Sequence, residues 1–315
     1  MDPISHGIIG IAVASFSHEP VAMTSAITIG SMLGAMSPDL DFVIRIFKDD
    51  VEYLEHHRGF SHSLPMLALF SIGITAMLSM MPFDNFQFWT TLMWTFLGAL
   101  SHTVFDILNS YGARLFQRKR KGNILTLYDP IVTLVCFGLI FNRQNGLGIF
   151  ALAAAVIGPY LILRWYMRER ARKNIMKALE AVDTIEDVNV MPSLKIFYKW
   201  DFVARGDQYN IVGQYNPFRR NPIHIIKKFE IKDKNLLAIV QKTAIGKKFS
   251  QMSPSLHIEV IDEEPTYVTV RIIDLRYFFR NAFLHQGTLI LDSAYNPVES
   301  VFHPYKLSKA VLVAG

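Results

Sequence analysis

Cysteine is nearly absent from this chain: one residue, Cys136, in 315, set inside an apolar run. A single thiol closes no internal disulfide and builds no thiolate metal cluster, so nothing calls for an oxidising compartment. No secretory leader is expected, because Met1-Asp2-Pro3 supplies no basic n-region. Internal repeats and low-complexity tracts are missing too, and no nucleophile triad is legible. Apolar residues are plentiful, 51% of the chain with a mean hydropathy of +0.24, but unevenly spread. Long apolar runs fill residues 1–167, and most of the charge lies in 168–315, which reads as a membrane half followed by a water-exposed half. The net charge of +5 and pI near 9.1 would suit nucleic acid. The basic residues cluster beside apolar spans, however, so a membrane surface is expected and nucleic acid is not.

A spanning helix takes about 20 largely apolar residues. Segments 64–82 and 88–108 reach that length, 21–37 approaches it, 7–16 and 131–141 are short, and 146–167 completes six. Six crossings put the 38–63 loop, the 111–130 loop and everything after 167 on one side. That side carries Arg114, Arg118, Lys119, Arg120 and Lys121, then Arg164, Arg168, Arg170, Arg172 and Lys173. Excess Lys and Arg beside the spans marks the cytoplasmic face. The fold expected is mainly α: a polytopic transmembrane helical domain over 1–167, a basic helical linker over 168–184, and a small β-rich cytosolic domain over 185–315.

On that same face lie the residues able to hold a metal. Asp2 and His6 open the chain, and Asp39 and Asp41 follow the second segment in Ser-Pro-Asp-Leu-Asp. His56, His57 and His62 sit in His-His-Arg-Gly-Phe-Ser-His-Ser (residues 56–63), and Asp129 precedes Pro130. His102 and Asp106 are one helical turn apart, so both project from one face as a two-donor edge. Ionisable groups inside an apolar helix cost roughly 2.5–3.5 kcal/mol at its centre, which favours a shared purpose. Imidazole and carboxylate are usual ligands of zinc and manganese. Taken singly, each piece has a plainer explanation: a buried hydrogen-bonded pair, a capping turn, a solvated loop. His18 falls on the other side and is read as unrelated, and His56 as a solvated neighbour.

These motifs resemble those of the bacterial membrane-bound, metal-dependent hydrolase family, whose best-known branch is the inner-membrane, LexA-regulated YdjM type. The matching residues are Asp2 and His6; Pro38, Asp39 and Asp41; His57, Arg58, Gly59, Ser61, His62 and Ser63; and Gly98, His102 and Asp106. Asn109-Ser110-Tyr111-Gly112 and Asp129-Pro130 resemble its later motifs. The likeness covers about residues 1–170 and implies an integral protein of the bacterial inner membrane, with hydrolase activity and a metal inferred from the motifs. It supplies no substrate.

The mechanism expected is metal-assisted hydrolysis. One or two divalent ions, zinc or manganese, would be held by some of His6, Asp39, Asp41, His57, His62, His102 and Asp106. Arg58 suits an anionic oxygen through its planar fork. Asp129 would be a further ligand or general base, or simply the cap of a helix whose first residue is Pro130. Ser61 and Ser63 suit donors to the ligands. The partners expected are membrane lipid and a lipid-linked or phosphoester substrate. Two other classes stay open. One is a non-catalytic membrane protein with a structural metal and a protein partner for its β-domain. The other is a metal or ion transporter, which the crowding of donors on one face disfavours.

After 182 the pattern turns to period two, with strands read at 194–203, 223–231, 256–261, 267–273 and 287–292. His224, His257, His285 and His303 are scattered through these strands and read as structural.

Overall fold

The computed structural model describes residues 2–17, 19–43, 60–110, 112–113, 120–142, 147–194, 196–279, 281–304 and 310–313. The described residues fall into two compact units. The first holds those of 2–43, 60–168 and 192–197, the second those of 169–191 and 198–313.

In the first unit, α1 (Pro3–Ala14) starts where Asp2 accepts from the amides of Ile4 and Ser5, with Pro3 in a first-turn position that needs no N–H. Then come α2 (Ala26–Met36), α3 (Leu64–Ser79), α4 (Phe88–Leu108), α5 (Pro130–Phe141) and α6 (Leu147–Leu179), whose residues from Glu169 onward belong to the second unit. Two glycines let α2 and α4 meet backbone to backbone. A Cβ at Gly34 would strike the Thr95 carbonyl oxygen, and one at Gly98 would strike that of Ser31. The Ser31 hydroxyl also donates to the Gly10 carbonyl at 2.7 Å, which ties α1 to α2. An apolar cluster of Ile9, Ala12, Leu125, Val132, Cys136 and Leu139 fills the space between α1 and α5.

These helices correct the expectation of a polytopic transmembrane domain. Among the described residues one helix, α4, is long and apolar enough to cross a membrane, while Pro3–Ser17, α3 and α5 are shorter apolar helices. The segment read at 21–37 is helical over 11 residues and that at 64–82 over 16. At 1.5 Å per residue these measure about 16 and 24 Å, against roughly 30 Å of hydrocarbon. Pro20 and the Ser25 cap delay the start of α2, and Ser37-Pro38 hands it to a 3-10 turn. A hydropathy window counts apolar residues without asking where the backbone is helical. The segment at 146–167 belongs to the 33-residue α6, which becomes basic from Arg164 onward.

Nor is the chain mainly α. The second unit contains a four-stranded sheet in the order β1 (Ile185–Pro192), β2 (Trp200–Gly206), β3 (Tyr209–Tyr215), β4 (Ile223–Glu230). Its second sheet is built from β5 (Leu256–Glu264), β6 (Tyr267–Asp274), β9 (His285–Asp292), β10 (Pro297–Pro304) and β11 (Val311–Leu312), in the order β11-β10-β9-β6-β5. Its strands pair antiparallel throughout the described residues. A short pair, β7 (Phe278–Phe279) and β8 (Ala282–Phe283), closes the turn before β9. Two amphipathic helices, α7 (Lys234–Lys242) capped by Asp233 and α8 (Ala244–Met252) capped by Thr243, cover one face of the second sheet. Leu236, Val240, Ile245 and Phe249 pack there on Val270, Ile272, Leu289 and Phe302. Strand alternation sends Ile273 to the other face, where it meets Val203, Val212 and Phe229 of the first sheet.

Candidate metal centre

The buried stripe of α4 is Thr91, Thr95, Gly98, Ala99, His102, Thr103 and Asp106, the 3.6-residue period of a helix face. Its small upper members allow the close approach of α2. Its last turn brings His102 and Asp106 into the same interior, both with no exposed surface. The 3-10 turn Ser37–Val43 delivers Asp39 from the end of α2, and the 3-10 turn Phe60–His62 delivers His62 just before α3. One donor atom from each of Asp39, His62, His102 and Asp106 falls within 4.8 Å of all the others. The Asp39 side chain is 11% exposed and the other three are sealed.

A hydrogen bond sets the position of one proton on His102. His102 Nδ1 lies 2.7 Å from the carbonyl oxygen of Ala35. A carbonyl only accepts, so Nδ1 carries the proton, and in the neutral ring Nε2 is the nitrogen with the free lone pair. His102 Nε2 lies 3.1 Å from His62 Nε2 and 3.5 Å from Asp39 Oδ1. The Ser61 hydroxyl sits 3.0 Å from His62 Nδ1 and can either donate or accept. When Ser61 accepts, His62 also presents a bare Nε2. Two such nitrogens at tetrahedral angles around one ion, with bonds of 2.0–2.1 Å, would be roughly 3.3–3.4 Å apart. The spacing and the two-imidazole, two-carboxylate donor set therefore fit a divalent cation.

Around this group lie supporting contacts. Asp106 Oδ2 faces His62 Nε2 at 3.6 Å and His102 Nε2 at 3.7 Å. Asp106 Oδ1 accepts from Asn109 Nδ2 at 2.8 Å and lies 3.2 Å from His6 Nε2. The His6 ring stacks on His102, with centroids 3.6 Å apart. Burial, then the neighbouring His102, pushes the His6 imidazole down to about 3, so it is neutral at any physiological pH.

The structure thus gathers His6, Asp39, His62, His102 and Asp106. The backbone of Asp41 lies in the 3-10 turn, but its side chain, and all of His57 and Arg58, lie outside the described residues. Asp129 is placed elsewhere, at the N-terminus of α5. There it accepts from the Val132 amide and, on both oxygens, from the Tyr160 hydroxyl at 2.9 and 2.8 Å. Asn109 and the Ala35 carbonyl carry parts the sequence reading did not assign. The Asn109 motif was visible, whereas a main-chain oxygen leaves no signature in a sequence.

Comparison with known proteins adds two family matches. The family described as YdjM inner membrane protein matches residues 1–171, and that described as YfhP C-terminal alpha/beta plait domain matches residues 235–311. The second match spans α7, α8 and the five-stranded sheet. A protein of Bacillus subtilis (strain 168), named only as the uncharacterized protein YfhP, is 26% identical over 291 residues, covering 88% of this chain and 87% of its own length. No solved structure matches the chain.

Proposed function

This chain belongs to the YdjM inner membrane protein family, and from that premise we propose that it is a metal-dependent hydrolase of the inner membrane. The observation that carries the reading is the pair of facing imidazole nitrogens, 3.1 Å apart and flanked by Asp39 and Asp106 in a buried setting. His62 and His102 would supply neutral nitrogen donors, and the two carboxylates would offset the charge of a divalent ion. Zinc and manganese both suit such a set. A bound ion of this kind lowers the pKa of water to about 7 and polarises a phosphoryl or acyl oxygen. The chain's own contribution is orientation. Ala35 fixes the His102 tautomer, Ser61 adapts to that of His62, and Asn109 holds Asp106. In this reading Arg58, four residues before His62, binds the anionic oxygen of a phosphoester or lipid-linked substrate. The site and the C-terminal unit face the cytoplasm, the side that the basic stretches favour, and that unit binds a partner protein.

The test is elemental analysis of detergent-purified protein, wild type beside His102→Ala and Asp39→Ala. Stoichiometric zinc or manganese in the wild type, lost from both variants, is expected and opens a screen of phosphodiesters and phospholipids. A folded wild type that takes up neither metal after loading would sink the hydrolase mechanism. The sealed state of His62, His102 and Asp106 favours a second reading, a purely structural ion. Cobalt-loaded protein separates the two, since an open coordination position lets added phosphate alter the visible spectrum and a closed one does not.

A further inference from the structure

The turn joining β3 to β4 reads Asn216-Pro217-Phe218-Arg219-Arg220-Asn221-Pro222. Asn216 organises it. Its side-chain oxygen accepts from the Phe218 amide at 3.1 Å, and its carbonyl accepts from the Arg219 amide at 3.2 Å. Its own amide donates to the Pro222 carbonyl at 2.7 Å. The backbone is thereby fixed in a shape that thrusts Phe218 outward, with 75% of its surface exposed. Tyr198 meets the ring edge-on, with centroids 5.5 Å apart, and steadies it without covering it. Arg219 and Arg220 beside it are both exposed. From Tyr215 to Phe229 the chain carries Arg219, Arg220, Lys227 and Lys228 and no carboxylate.

Lys227 and Lys228 lie on a strand at the sheet margin, where lysines commonly discourage edge pairing, so they call for no partner. Phe218 has no such explanation. A braced aromatic ring beside two guanidinium forks suits an apolar layer topped by phosphates. Nucleic acid would also take arginines and a stacking ring, but a member of an inner-membrane family has a phospholipid surface at hand. We propose that the β3–β4 turn is a membrane-surface contact, in which Phe218 enters the interfacial layer while Arg219 and Arg220 bind the phosphates of anionic phospholipids.

The test uses the full chain with Cys136→Ala and a spin label at Phe218→Cys, reconstituted in nanodiscs containing phosphatidylglycerol. A second sample carries the label at Glu263→Cys, an exposed position on β5. Collisions with oxygen, which concentrates in lipid, are compared with those of a water-soluble nickel chelate. We expect the label at 218 to favour oxygen and that at 263 to favour nickel. The preference at 218 should weaken in pure phosphatidylcholine discs, and in anionic discs when Arg219→Gln and Arg220→Gln are added. A label at 218 as open to nickel as that at 263, with circular dichroism showing a folded chain, would overturn the proposal. Protection at 218 only when RNA is added would overturn it in favour of nucleic acid.

Discussion

Asp106 is a carboxylate with no exposed surface, and its two oxygens have different company. Oδ2 faces the two imidazole nitrogens, while Oδ1 takes the Asn109 amide and adjoins His6. Asn109 also accepts from the Gly112 amide at 3.1 Å, through its other side-chain atom. Asn109→Asp separates these duties, because it keeps the acceptor for Gly112 and sets a like charge against Asp106. We expect cobalt affinity to fall by about 10–100-fold, the usual effect of losing a partner that orients a ligand. The visible bands should shift as well. Titration with cobalt checks both, and an unchanged affinity and spectrum would remove Asn109 from the site. At this scale the sequence was informative where donors share a helix, as His102 and Asp106 do at one-turn spacing. It was silent on Ala35, since any residue there offers the same carbonyl.

Helix α2 matters less for its own donors than for how near it comes to α4. Gly34 has no room for a side chain because the Thr95 carbonyl fills that space, and the next residue, Ala35, holds His102. Gly34→Val should force the helices apart, at a cost of about 1–3 kcal/mol for overpacking. Metal stoichiometry should drop with the melting temperature. Gly73→Val is the control, since a Cβ there meets nothing within 4 Å. Full metal uptake by Gly34→Val would show that the close approach is dispensable. Element identity was legible where periodicity was strong, as in the strands near 223–231, 256–261 and 267–273. Helices α7 and α8 went unread because their buried residues, Leu236, Val240, Ile245 and Phe249, recur at four or five positions amid lysines. A search for period two passes over that spacing.

Taken whole, the chain stores a pH dependence in its C-terminal unit. His257 of β5 lies against Asn210 of β3 at 3.1 Å and against the ring of Phe229 of β4, so it joins the two sheets. Burial, then the charge of Lys227, pushes it down to about 4. Burial also lowers His285, with Arg276 adding to the effect against the opposing pull of Asp274. An unfolded chain takes up these protons near pH 6.5, and the folded one resists until about pH 4 at His257. Stability is therefore complete above pH 6.5 and is lost as the pH falls through that window. At pH 5, His257 should account for up to about 2 kcal/mol. Thermal unfolding of the full chain at pH 7 and pH 5 would measure the loss, and His257→Gln should shrink it. An identical pH slope in the variant would refute the assignment. At this scale the sequence misled most, because average hydropathy turned short apolar helices into spans and left the extent of the sheets unseen.

Asp39, His62, His102 and Asp106 come from three stretches of chain, and the last of them stands at the far end of α4. A nascent polypeptide therefore owns only fragments of the donor cluster until α4 has emerged and docked on α2. On the proposed reading, loading of an ion would follow synthesis and assembly of this unit. Exposure to chelators during biogenesis and after it should then leave different marks on the finished protein.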